Sequence, residues 1–92
     1  MRRVLVVDDH EPSRKHLVQT LTENGYEISG EGTSGTLAVA LARTTAPDVV
    51  LIAVGLPDVD GIKTSGRIMR VKPVPIILLT SHYDPATVAR AI

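Results

Sequence analysis

PDVVLIAVGLPDVDG, residues 47–61, decides the fold of this 92-residue chain. Pro47 and Asp48 open it, an apolar run follows from Val49 to Val54, and Gly55 to Gly61 read as a loop. A short apolar run between turn signals is a strand buried on both faces, as in the middle of a parallel sheet. Open parallel sheets place their chemistry just beyond the carboxyl ends of such strands. At that end stands Ala53, whose methyl group can do none.

Upstream, Val4 to Val7 form a first buried strand that ends on Asp8 and Asp9. Glu11-Pro12-Ser13 opens a helix with Leu17, Val18 and Leu21 on its apolar face, and Asn24-Gly25 stops it. Tyr26 to Ser29 alternate like a short edge strand. The small-residue stretch Gly30 to Gly35 reads as a loop into a second helix, with Leu37, Ala40, Leu41 and Thr44 expected on its inward side. Downstream, Ile62 to about Val71 make a third helix, and Lys72-Pro73-Val74-Pro75 is a stiff connector. Ile76 to Leu79 form a fourth buried strand ending at Thr80 and Ser81, and Asp84-Pro85 caps a fourth helix. Strands alternating with helices mean an α/β fold: a parallel sheet with right-handed crossovers.

Composition narrows the class. An apolar share of 43% suits a globular chain, and with no Phe or Trp its core must be aliphatic. Ten basic residues balance ten acidic ones, so nothing in the net charge argues for a nucleic-acid or membrane surface, and neither partner is expected. The absence of cysteine excludes disulfides and thiolate metal sites. Asp8 and Asp9 interrupt the first apolar run too early for a signal peptide, and no run reaches the ~20 residues of a membrane span. The expectation is one cytoplasmic domain.

The adjacent carboxylates Asp8 and Asp9 admit two readings. Hard oxygen ligands at a strand tip suit Mg²⁺, which takes one or two protein carboxylates and keeps several waters. Alternatively, one aspartate caps the following helix and the other is solvated. Thr80 and Ser81 end strand four on the same side of the sheet, where a hydroxyl could meet an anion. Gly30-Glu31-Gly32-Thr33-Ser34-Gly35 fits G-x-G-x-x-G, the dinucleotide fingerprint, so nucleotide binding at Gly30–Gly35 is an outside reading. That fingerprint expects an acid about 20 residues on, where Ala53-Val54-Gly55 carries none. The other reading is a turn with a Ser or Thr cap. His10, His16 and His82 lack ligand spacing and are expected at the surface.

VLVVDDH at residues 4–10, PDVVLIAVGLPDVDG at 47–61 and PIILLTSH at 75–82 together resemble the receiver domains of response regulators, the phosphoacceptor modules of two-component signalling. The resemblance spans the chain and implies a flavodoxin-like sheet, here in the order 2-1-3-4, without the family's fifth strand and helix. Residues 1–92 thus read as a truncated receiver domain. The resemblance implies Mg²⁺ at Asp8, Asp9 and the backbone carbonyl of Gly55, with Thr80 as the switch hydroxyl. It places the phosphoacceptor aspartate at Ala53, which offers neither nucleophile nor ligand, so Mg²⁺ binding is expected to be weak and phosphotransfer absent. The family's phosphate-contacting lysine has no counterpart.

The expected function is a non-enzymatic phosphorelay signal-transduction module that takes no phosphate at position 53 and works by protein association. The alternative is an ordinary phosphoacceptor receiver in an inactivated or shortened form. Arg14 and Lys15 offer a basic edge of the kind receivers present to histidine kinases. Ile76 and Leu78 would lie on an open sheet edge, and the apolar sides of strands one and three would also be uncovered. A homodimer or higher oligomer is expected to cover this surface.

Overall fold

The computed structural model describes residues 2–92. Along them run β1 (Arg3–Val7), α1 (Glu11–Glu23), β2 (Glu27–Gly32), α2 (Gly35–Thr45), β3 (Val49–Ala53), α3 (Gly61–Val71), β4 (Ile76–Leu79) and α4 (Pro85–Ala91). The strands form one sheet, parallel as the alternation of elements implies, in the order β2-β1-β3-β4 that the family resemblance implies.

Handedness distributes the helices. From β1 the chain steps to β2 on one side, then returns past β1 to β3 and on to β4. Right-handed crossovers therefore put α1 on one face of the sheet and α2 and α3 on the other. Alternation along β1 and β3 splits the core to match. Val4, Val6, Val49 and Leu51 pack with Leu17 and Leu21 of α1, whereas Leu5, Val7, Val50 and Ile52 pack with Ala38 and Ala42 of α2 and Ile68 of α3.

The fourth helix is bound by no crossover among the described residues, and it lies beside α1. Its Val88 and Ala89 join the α1-side cluster, and Ile92 packs against it. This corrects the expectation that β1 and β3 present bare apolar sides. With α4 beside α1, Val4, Val6 and Leu51 are 0% exposed and Val49 is 2% exposed. Among the described residues the outer edge of β4 has no partner strand, and Leu78 there is 43% exposed.

Two further readings are corrected. β2 runs through Gly32 instead of ending at Ser29, because a bulge lets the strand continue. Val4 pairs with Ile28 and Leu5 with Gly30, so Ser29 is the extra residue. The inward face of α2 is Gly35, Ala38 and Ala42, not the one carrying Leu37, Ala40 and Thr44. Close approach decides this. A Cβ on Gly35 would collide with the Thr64 hydroxyl and stand 2.9 Å from the Val59 carbonyl oxygen, so only small residues fit between α2 and its neighbours.

Candidate functional site

β1, β3 and β4 end at nearly the same level. Val7 pairs with Ile52 and Ala53 with Leu79, so Asp8, Ala53 and Thr80 emerge side by side. They line one cleft of about 310 Å³, which Asp9, Gly55 and Ser81 also border. The six positions singled out at the strand ends thus meet in one place. Arg14, Lys15, Ile76 and Leu78 lie outside it.

Asp8 is the buried member of the acid pair, 5% exposed, while Asp9 is exposed. Both Asp8 carboxylate oxygens already have donors. The His10 amide donates to Oδ1 at 3.0 Å, and the Tyr83 hydroxyl lies 3.1 Å from Oδ2 and 3.2 Å from the Ser13 carbonyl oxygen. Burial, then the Asp8 charge and this hydrogen bond, push the Tyr83 phenol well above its ordinary range. Neither aspartate caps α1. That place is taken by His10, whose Nδ1 accepts the Ser13 amide at 3.3 Å and lies 2.6 Å from the Ser13 hydroxyl.

The acid pair offers the cleft two carboxylates, and Gly55 borders the same cleft. Such hard donors fit Mg²⁺, which completes its shell with water. The described residues contain no cluster of three or more His, Cys, Asp or Glu that could hold a metal. A cation would rest on Asp8 and Asp9 and would have to share Asp8 with the donors it already has.

The β3–α3 loop is held from two sides. Asp60 caps α3 by accepting the Lys63 amide at 2.8 Å. Asp58 reaches across to α2, accepting the amides of Gly35 at 2.7 Å and Thr36 at 3.0 Å and the Thr36 hydroxyl at 2.8 Å. These bonds hold the Asp58 carboxyl well below the usual carboxylate range. Behind the loop, Gly61 rests against the Ala53 carbonyl, where a Cβ would not fit.

The glycine stretch is divided between β2 and the start of α2. Gly30 and Gly32 lie in β2 beneath Leu41, whose side chain is 3.5 and 3.4 Å from where their Cβ atoms would be. Ser34 caps α2 by accepting the Leu37 amide at 3.1 Å. With Gly35 and Thr36 donating to Asp58, the amides that a pyrophosphate would need at this helix start are occupied by the chain itself.

Arg14 is a strut more than a surface group. Its Nε pairs with Glu31 at 3.0 Å, Nη1 donates to the Asp8 carbonyl at 3.0 Å, and only 14% of the side chain is exposed. Lys15 is 69% exposed and pairs with Glu11 one turn away, an arrangement that stabilises little. His82 and His16 are exposed, as expected. Tyr83, Asp58 and the capping role of His10 were not found from sequence. The available hint was Tyr83 itself, one of only two aromatic residues, placed just after the strand-four hydroxyls.

The response regulator receiver domain family model matches residues 4–92. The chain is 36% identical over 92 residues to the chemotaxis protein CheY of Thermotoga maritima, covering 99% of this chain and 77% of that protein. It is 40% identical over 91 residues to protein-glutamate methylesterase/protein-glutamine glutaminase 2 of Anaeromyxobacter dehalogenans, covering 98% of this chain but 27% of the relative's length. The crystal structure of the response regulator domain of Thermotoga maritima CheB superposes with a TM-score of 0.85 at 27% identity, covering 99% of this chain and 71% of that one. Among the described residues no helix is long and apolar enough to cross a membrane. An acid pair, a strand-end hydroxyl and a flavodoxin-like parallel sheet coincide with these likenesses, and the chain belongs to the response-regulator receiver family of two-component signalling.

Proposed function

We propose that residues 1–92 act as one receiver unit that takes no phosphate at position 53 and signals through protein association. The observation that carries this is the position of Ala53. It stands at the end of β3 inside the acid-lined cleft, where a phosphoacceptor would need a nucleophile, and a methyl group supplies none. The surrounding residues support a weak Mg²⁺ site at Asp8, Asp9 and the Gly55 carbonyl, with Thr80 and Ser81 as the anion-facing hydroxyls. The unit has no catalytic activity of its own and works in the cytoplasm. Its partners are a histidine kinase or another signalling protein at the exposed part of α1 around Lys15, and a second copy at the β4 edge.

A second reading, a phosphoacceptor receiver in inactivated form, draws support from the intact frame of Asp8, Asp9 and Thr80 around position 53. Incubation with acetyl phosphate and Mg²⁺, followed by intact-mass measurement, tests both. Phosphate uptake by the unaltered chain would refute the proposal. Uptake by Ala53→Asp alone would favour the inactivated phosphoacceptor, and no uptake by either protein would favour the association module.

A further inference from the structure

We infer that the outer surface of α2 and α3 is a docking face for an acidic, amphipathic segment of a partner protein. The inference rests on the reading of the chain as an association module and names the chemistry of one partner.

The balance of ten basic and ten acidic residues conceals a separation. Residues 35–45 and 61–72, which are α2 and α3 with the Lys72 cap, hold Arg43, Lys63, Arg67, Arg70 and Lys72 but no Asp or Glu. The five basic residues outside these helices are all engaged within the chain. Arg3, Arg14 and Lys15 form ion pairs, Arg2 donates to the Ile92 carbonyl, and Arg90 donates to the Thr87 hydroxyl. The five on α2 and α3 are exposed, and among the described residues their side chains have neither an ion pair nor a hydrogen bond. Helix dipoles explain only part of this. Arg43 and Arg70 stand in the last turns of their helices, where a cation is favoured. Lys63 stands in the first turn of α3, where a cation is disfavoured, so helix stability does not account for it.

The same two helices carry four of the five exposed large apolar side chains: Leu37, Ile62, Met69 and Val71. With 3.6 residues per turn, Lys63, Arg67 and Arg70 form one row along the crest of α3, flanked by Ile62 on one side and Val71 on the other. Met69 borders the groove at β4, and α2, packed alongside α3, adds Leu37 and Arg43. The complement of such a face carries carboxylates and apolar side chains together. A nucleic-acid backbone would satisfy the cations but leave the apolar side chains without contact, and neither helix has an aromatic residue on which bases could stack. A flat bilayer would meet the cationic row ahead of its apolar flanks, again with no aromatic anchor. An acidic amphipathic segment laid along α3 satisfies both kinds of side chain. Three of the five cations are arginines, whose fork takes a carboxylate through two parallel hydrogen bonds.

The test is fluorescence anisotropy on the full chain. The probe is a labelled helical peptide with leucines on one face and glutamates flanking them, and its counterpart has lysines in place of the glutamates. The glutamate peptide should bind at least about tenfold more tightly than the lysine peptide, and added salt should weaken it. Arg67→Glu combined with Arg70→Glu should weaken it at least about tenfold, whereas Lys15→Glu on α1 should leave it unchanged. Should the double variant fail to fold, Lys63→Gln combined with Arg67→Gln decides in its place. Equal affinity for the two peptides, binding of neither, or a loss with Lys15→Glu in place of the α3 variant overturns the docking face. Tighter binding to phosphatidylserine vesicles or to duplex DNA than to the glutamate peptide overturns it as well. The association reading itself falls by a different readout, phosphate uptake from acetyl phosphate, which peptide binding does not report.

Discussion

Two glycines of one helix should respond oppositely to the same methyl group. Gly61 opens α3 and Gly66 lies in its middle, and neither has positive φ. A Cβ on Gly66 meets nothing within 4 Å. Gly66→Ala should therefore stabilise by about 1 kcal/mol, from higher helix propensity and a less flexible unfolded chain. In a domain of this size that raises Tm by roughly 4–8 °C. A Cβ on Gly61 runs into the Ala53 carbonyl oxygen and comes within 2.9 Å of the Val54 Cα, both of them backbone atoms of the strand end that forms the cleft. Overpacking of this kind costs about 1–3 kcal/mol and exceeds the smaller propensity gain available at a helix's first position. Gly61→Ala should therefore destabilise by about 1–2 kcal/mol net. Urea unfolding of the two variants beside the unaltered chain measures this, with shifted midpoints and an unchanged slope as the signature of altered native stability. If Gly61→Ala unfolds at the same urea concentration as Gly66→Ala, the close approach of α3 to β3 is not the constraint described here.

Two more outcomes are expected. The Asp58 carboxyl is held below its unfolded value of about 3.9, so its contribution is present above about pH 4 and is lost as pH falls through that value towards the folded one. Asp58→Asn should make the urea midpoint fall less between about pH 5 and pH 2, with Glu11 and Asp84, shifted in the same direction, supplying the remaining slope, and an unchanged slope would exclude Asp58 as a source. At the β4 edge, Leu78 is 43% exposed beside Met69 at 48% across a shallow apolar groove, so sedimentation velocity at micromolar concentration should show dimer, with Leu78→Lys shifting it to monomer. A monomer in the unaltered chain excludes a second copy as the occupant.

What could be read from sequence follows from where each signal resides. Buried parallel strands are continuous apolar runs, so β1, β3 and β4 were visible as such, whereas β2 showed only as a short alternation at an edge. Asp8, Asp9, Ala53 and Thr80 were marked by position at strand ends, and Gly55 by the family resemblance. Side-chain reach was not visible. Tyr83 meets Asp8 across 75 residues, Asp58 meets Gly35 across 23, and Arg14 meets Glu31 across 17. The inward face of α2 was misread because leucines outweigh alanines in hydropathy, whereas the space beside Gly35 admits only small residues. The extent of β2 was misread because Gly30 and Gly32 read as turn residues, and the bulge at Ser29 that carries the strand on leaves no signal in the sequence. The side taken by α4 had no sequence signal, since the crossover rule acts only between paired strands.

The scarcity of aromatic residues has a spectroscopic consequence. With no tryptophan, near-ultraviolet absorption and emission come from Tyr26 and Tyr83 alone. Tyr83 lies at the acid cleft, and the Tyr26 hydroxyl is 3.5 Å from the Ala89 carbonyl, so both chromophores report on the seam between α1 and α4. Intrinsic fluorescence would follow every movement of α4 and would be blind to a loosening of α2 and α3 on the opposite face. A melting curve recorded by tyrosine emission is therefore a measurement of half the molecule, and its agreement with far-ultraviolet dichroism is the direct check that the two faces unfold together.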